Sequence, residues 1–156
     1  SAGVANAALY QFQLTGDYTA DWKLDANPTV TGGSLNNVSF TLSDVVGNFP
    51  GASRDVVDLM FYNEAAGGGL LIEDWYAGKF LLTTGGPQMY SGKENKPLFE
   101  LGTFVLTDNR GVGNFSLTIT DLDALPPVDV PEPASVALLL GGLGLLAAAR
   151  KRRSAK

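Results

Sequence analysis

From Tyr10 to Ala26 the chain alternates between apolar and polar residues almost without a break. Tyr10, Phe12, Leu14, Tyr18, Ala20, Trp22, Leu24 and Ala26 occupy even positions. Gln11, Gln13, Thr15, Asp17, Thr19, Asp21, Lys23 and Asp25 occupy odd ones. A strand turns successive side chains to opposite faces, so a period of two over this length predicts half-buried strands, joined or bent near Gly16-Asp17. On this parity Trp22 belongs to the core.

The pattern recurs at Val38, Phe40 and Leu42 and at Phe115, Leu117 and Ile119, and further strands are expected at Val56–Tyr62, Leu70–Trp75, Lys79–Thr83 and Thr103–Thr107. Turn-forming runs separate them, among them Pro50-Gly51, Gly67-Gly68-Gly69, Gly85-Gly86-Pro87 and Asn109-Arg110-Gly111. No segment before residue 134 shows a helical period. These features predict an all-β domain over residues 8–123, an antiparallel β-sandwich of jelly-roll-like or Ig-like type. Residues 124–133 are expected to form a Pro-rich, semi-rigid linker, followed by one C-terminal apolar helix.

The 156 residues include no His and no Cys. That excludes a disulfide framework, a Cys/His zinc site, a thiol nucleophile and any imidazole base. Of the 11 cations, five lie at Arg150, Lys151, Arg152, Arg153 and Lys156, leaving six against all 16 acids, a net of −10 for residues 1–149. Such a body repels the phosphates that supply most nucleic-acid affinity, so nucleic acid is not an expected partner.

Carboxylates are the only plentiful catalytic type, and a carboxylate-pair glycoside hydrolase is one alternative they allow. Solvated strand faces are the other, and no cofactor is expected. Asp121 and Asp123 are a candidate calcium site near a strand end. Asp17, Asp21 and Asp25 share one strand face, but positions four apart on a strand are about 13 Å apart, too far to share an ion. Trp75 and Tyr76 are adjacent, so one meets solvent unless a turn intervenes. They pack at a core or edge, or form an aromatic platform for sugar rings.

Residues 134–149 read ASVALLLGGLGLLAAA: twelve apolar residues, three Gly, one Ser and no charge. As a helix this stretch spans about 24 Å, slightly under a hydrocarbon core of about 30 Å. Arg150, Lys151, Arg152 and Arg153 follow directly. A short transmembrane helix at 134–149 is expected, with a basic cytoplasmic tail at 150–156 and the acidic body outside. Pro131, Glu132 and Pro133 immediately precede the span, and the two prolines keep this stretch extended.

Pro131-Glu132-Pro133, the apolar stretch and the Arg-rich tip, in that order, closely resemble the PEP-CTERM sorting signal of Gram-negative, exopolysaccharide-producing bacteria. The resemblance covers Val130 to Ala155. It implies processing near the motif by an exosortase, a membrane-embedded cysteine protease, and a membrane anchor through the C-terminal helix before that step. The body is similar to a recurring group of small PEP-CTERM proteins. That similarity rests on Tyr10-Gln-Phe-Gln-Leu-Thr-Gly16, Phe49-Pro50-Gly51, Phe61-Tyr62-Asn63, Gly67-Gly68-Gly69-Leu70 and Leu81-Leu82-Thr83-Thr84-Gly85-Gly86-Pro87. It implies a family and no reaction.

Residues 1–7 end in Ala5-Asn6-Ala7, an A-x-A pattern, and are expected to be the remnant of a signal peptide. The expectation is an exported protein, anchored at the membrane and then placed at the cell surface or in the extracellular matrix. It is expected to be non-enzymatic, structural or adhesive, with exopolysaccharide as a possible partner. The alternative is a polysaccharide-binding module that uses exposed aromatics.

Overall fold

The computed structural model describes residues 8–33 and 36–124. Eleven strands run through them: β1 (Leu9–Gly16), β2 (Ala20–Asp25), β3 (Gly32–Gly33), β4 (Ser39–Asn48), β5 (Val56–Tyr62), β6 (Leu70–Asp74), β7 (Lys79–Gly85), β8 (Tyr90–Lys93), β9 (Lys96–Phe99), β10 (Gly102–Asp108) and β11 (Phe115–Asp121). The β5 span coincides with the one read from the sequence. β6 ends one residue sooner than expected, while β7 and β10 extend slightly further. The linker beyond Ala124, the apolar stretch 134–149, Pro131-Glu132-Pro133, the basic tail 150–156 and residues 1–7 lie outside the described residues.

The strands pair in the order β2-β1-β11-β10-β7-β6-β5-β4-β3, and an additional β2–β4 pairing closes the ring. Eight strands thus form a closed antiparallel barrel in which successive strands are neighbours, with β3 laid beside β4 and the β8–β9 hairpin set apart. This corrects the expected topology. A jelly roll or an immunoglobulin sandwich needs a Greek-key crossover, and here each strand simply turns back beside the last. The sandwich survives only as two curved halves. One is β10-β11-β1-β2, the other β4-β5-β6-β7. They join through short seams, Asp21↔Asn48 with Trp22↔Gly47 on one side and Thr107↔Gly85 with Asp108↔Thr84 on the other. Two-residue seams leave no periodic signature, so closure is invisible in the sequence.

Parity holds as expected. Phe12, Leu14, Ala20 and Trp22 point inward, as do Phe40, Leu42, Phe115, Leu117 and Ile119. Inside, rings fill the barrel: Phe12 stacks on Trp22 at 5.4 Å, Trp22 on Phe49 at 5.5 Å, and Phe61 meets Phe99 edge-on at 4.9 Å. Truncating a ring such as Phe61 to Ala costs about 3–5 kcal/mol in a core of this kind. Trp22 Nε1 is buried without a hydrogen-bond partner, a cost its stacking with Phe12 and Phe49 offsets.

The β8–β9 hairpin adds Tyr90 and Phe99 to this interior. Phe99 N–H donates to the carbonyl of Ala26, tying the hairpin to the end of β2. Up-and-down order also fixes the rims. The β1–β2, β4–β5 and β6–β7 connections share one rim, joined by the Tyr18–Pro50 and Ser53–Asp74 hydrogen bonds, while β1 begins and β11 ends at the other.

Candidate functional site

β6 carries Leu70, Ile72 and Asp74 inward, so the third inward position holds a carboxylate in place of an apolar side chain. Asp74 is fully buried at the rim. Its Oδ2 accepts the Ser53 N–H at 2.7 Å, and its Oδ1 accepts the Ser53 hydroxyl at 3.0 Å and the Ala77 N–H at 3.1 Å. The Ser53 N–H foremost holds this carboxyl below the usual carboxylate range. The Ser53 hydroxyl, the Ala77 N–H and the charge of Lys79 assist, and together they outweigh burial. Asp74 therefore ends the strand and turns the chain. Gly78 N–H donates to the Trp75 carbonyl at 3.2 Å, and Gly78 takes a left-handed φ of 63° that suits glycine.

The turn settles the fate of the aromatic pair. Strand parity would bury one ring, but a turn follows Asp74 and both rings reach solvent, Trp75 at 67% and Tyr76 at 50% exposure. The Arg54 guanidinium lies 4.0 Å from the centre of the Tyr76 ring, a cation–π contact. Asp74 thus holds together two segments, the Ser53–Arg54 loop and the Trp75–Gly78 turn.

A bulge on β4 supplies the rest of the site. Its register with β5 shifts between Leu42 and Val45, and Asp44 takes a φ of 55°, which Asp tolerates better than most side chains. Inward parity passes from Phe40 and Leu42 to Val45, leaving Ser43 and Asp44 outside. Thr31 Oγ1 pins the bulge by accepting the Ser43 N–H at 2.8 Å. Asp58 Oδ1 accepts the Asp44 N–H at 3.1 Å, and the Tyr76 hydroxyl reaches Asp44 Oδ1 at 3.4 Å. Ser43, Asp44, Asp58, Trp75 and Tyr76 line an open groove of about 440 Å³. Glu73 stands directly opposite Asp58 across β5 and β6.

Other residues singled out in the sequence have structural partners. Asp123 Oδ2 accepts the Leu9 N–H at 2.7 Å, and Asp121 Oδ1 accepts the Asp123 N–H at 2.8 Å, so the pair fastens the end of β11 to the start of β1. Asp17 Oδ2 accepts the Asn114 N–H, and Asp21 Oδ1 accepts from Asn48. Among the described residues no group of three or more His, Cys, Asp or Glu is placed to hold a metal ion. No helix among them is long and apolar enough to cross a membrane.

One half-buried polar cluster has no forerunner in the sequence. The Tyr90 hydroxyl and the Asn63 amide both donate to Glu94 Oε1, at 3.1 and 3.0 Å. Burial, and then the Glu94 charge, push the Tyr90 hydroxyl well above its ordinary value. This cluster ties the β8–β9 hairpin to the end of β5. Tyr90 and Glu94 lie four apart across a Ser-Gly-Lys stretch that reads as a loop, which hid them.

The glycine-rich motifs of the body are corner packing. A Cβ at Gly68 would overlap the Gly86 carbonyl, and one at Gly69 would overlap that of Thr84. The two glycine runs lie backbone to backbone beside the β7–β10 seam. Buried Thr84 completes that corner, its hydroxyl donating to the Leu70 carbonyl at 2.8 Å and accepting the Leu70 N–H at 3.0 Å. Phe49 packs on Trp22, and the Pro50 carbonyl accepts the Tyr18 hydroxyl at 2.9 Å.

The family model of the PEP-CTERM protein-sorting motif matches residues 129–153. The chain therefore carries the sorting signal of an exported, exosortase-processed protein, handled at the membrane in Gram-negative bacteria. Neither the curated proteins nor the solved structures contain a match to the chain.

Proposed function

We propose that the barrel is a non-catalytic adhesive or structural domain, presented in the envelope or the exopolysaccharide matrix after its tail has served as a sorting signal. The observation that carries this is the sorting motif at residues 129–153, joined to a barrel whose interior is packed with rings. An eight-stranded barrel has just enough room for its own side chains or one small ligand, and here the rings occupy the space. Function then falls to the outer wall and the rims.

β11 ends at the rim opposite the Trp75–Gly78 turn. A second reading is favoured by the exposure of both aromatic rings beside Ser43, Asp44 and Asp58: the groove is a contact for polysaccharide. Flat aromatic faces bordered by hydrogen-bonding groups suit sugar rings, which present C–H faces and hydroxyl edges.

The sorting step is tested by replacing Pro131, Glu132 and Pro133 together with alanines in the native host. The full-length form should accumulate unprocessed on an intact-mass measurement. Normal processing of that variant would sink the sorting claim for this motif.

A further inference from the structure

We infer that the Trp75 groove takes a cationic glycan, a polysaccharide whose sugar rings carry free amino groups, in preference to a neutral or an acidic one. This rests on the reading of Trp75 and Tyr76 as glycan contacts and adds the charge of the ligand. Its first support is the uneven state of the two rings. Tyr76 already carries Arg54 on its face, whereas the Trp75 ring, at 67% exposure, has no aromatic or cationic partner among the described residues.

The second support is uncompensated charge. Asp44 and Asp58 line the groove, and Glu73 faces Asp58 across the adjacent strand. Among the described residues the one ion pair is Arg110 with Asp108, at 2.9 Å, so none of these three carboxylates has a cation. Like charges placed directly opposite each other on neighbouring strands destabilise a sheet. A cation arriving between them relieves that repulsion. The free oxygens suit it: Asp58 and Asp44 each use Oδ1 within the protein, leaving Oδ2 of each for an incoming N–H.

The two features combine on one ligand. An amino sugar lays the C–H face of its ring on Trp75, directs its ammonium at Asp58 and Asp44, and adds a cation–π contribution. The net −10 of residues 1–149 draws such a polymer in and repels a polyuronate. A neutral glycan keeps the stacking and forgoes the charge.

The test is calorimetric titration of the full-length chain in detergent with three probes. These are a glucosamine polymer with free amino groups, the same polymer fully N-acetylated, and a polyuronate. The expected order is amino polymer first and acetylated polymer weaker, while any heat with the polyuronate, which the basic residues 150–156 attract, should be unchanged by Trp75→Ala. Trp75→Ala and Asp58→Asn should each weaken binding of the amino polymer at least about tenfold. Glu100→Gln, exposed just past β9 and outside the groove lining, should leave it unchanged. Asn at 58 still accepts the Asp44 N–H, so this variant keeps the bulge, and melting temperatures verify the fold. Equal, Trp75-dependent binding of the acetylated and amino polymers overturns the charge preference and leaves the glycan reading standing. Binding of the amino polymer that all three variants weaken alike, or that none weakens, overturns the groove as its site. No heat with any probe overturns both.

Discussion

The outer face of β10, β11 and β1 and the outer face of β4 to β7 belong to one barrel and expose different chemistry. The first shows Thr103, Val105, Ser116, Thr118, Thr120, Gln11, Gln13 and Thr15, none of them charged. Thr103 and Thr118 pair across β10 and β11 and share a hydroxyl hydrogen bond of 3.0 Å. Short β-branched and amide side chains on a solvated strand need no further explanation, because they favour the strand itself. The second face sets Asp58 against Glu73, forces Asp44 into a left-handed backbone and leaves two aromatic rings in solvent. Each of those choices costs stability, and they converge on one groove. Strain and repulsion gathered at one place support the proposed groove better than polarity alone would.

The contrast can be broken by mutation. The largest effect belongs to Trp75→Ala, which should remove most glycan binding while moving stability by less than about 0.5 kcal/mol, since an exposed ring packs on little. Thermal melting alongside titration separates the two. Asp74→Asn should come next, lowering the melting temperature and loosening the aromatic turn. Because the folded pKa of Asp74 is depressed, its stabilisation is present above the ordinary carboxylate value near 4 and lost as pH falls through the lower folded value. The gap in melting temperature between wild type and variant should therefore be full at neutral pH and close in strong acid.

Asp58→Asn is smaller and opposite in sign: relief of the repulsion with Glu73 should stabilise the barrel by roughly 0.2–1 kcal/mol while binding weakens. Urea unfolding at low salt reads it. Smallest of all, Thr118→Val on the plain face should change stability by less than about 0.5 kcal/mol and binding not at all. A binding loss there would erase the distinction between the faces.

Much of the barrel was legible in residue order because burial imposes a period of two. Phe12, Trp22 and Leu117 declare their faces by position alone. The β8–β9 hairpin was not, because Pro97 argues against a strand and Lys93-Glu94-Asn95-Lys96 reads as a loop, although Pro97 in fact lies buried. The groove was half legible. Trp75 and Tyr76 stood out as neighbours, but their shared exposure depends on Asp74 halting β6 through partners 21 residues away at Ser53. Asp58 follows the plain alternation of β5, but Asp44 gave no signal, since a bulge brings it to the groove and bulges have no periodic mark.

The place of β11 in the barrel carries a mechanical consequence. The sorting sequence continues from this strand, and β11 is held by β1 along Phe115–Asp121 and by β10 along Phe115–Ile119. Asp123 adds a fastening to Leu9, whose carbonyl also accepts the Leu122 N–H. A pull on the end of β11 along the strand axis must slide it past both neighbours at once. It cannot peel the strand away one hydrogen bond at a time, as it would from a sheet edge. The strand that receives the force is thus the one best placed to resist being drawn out.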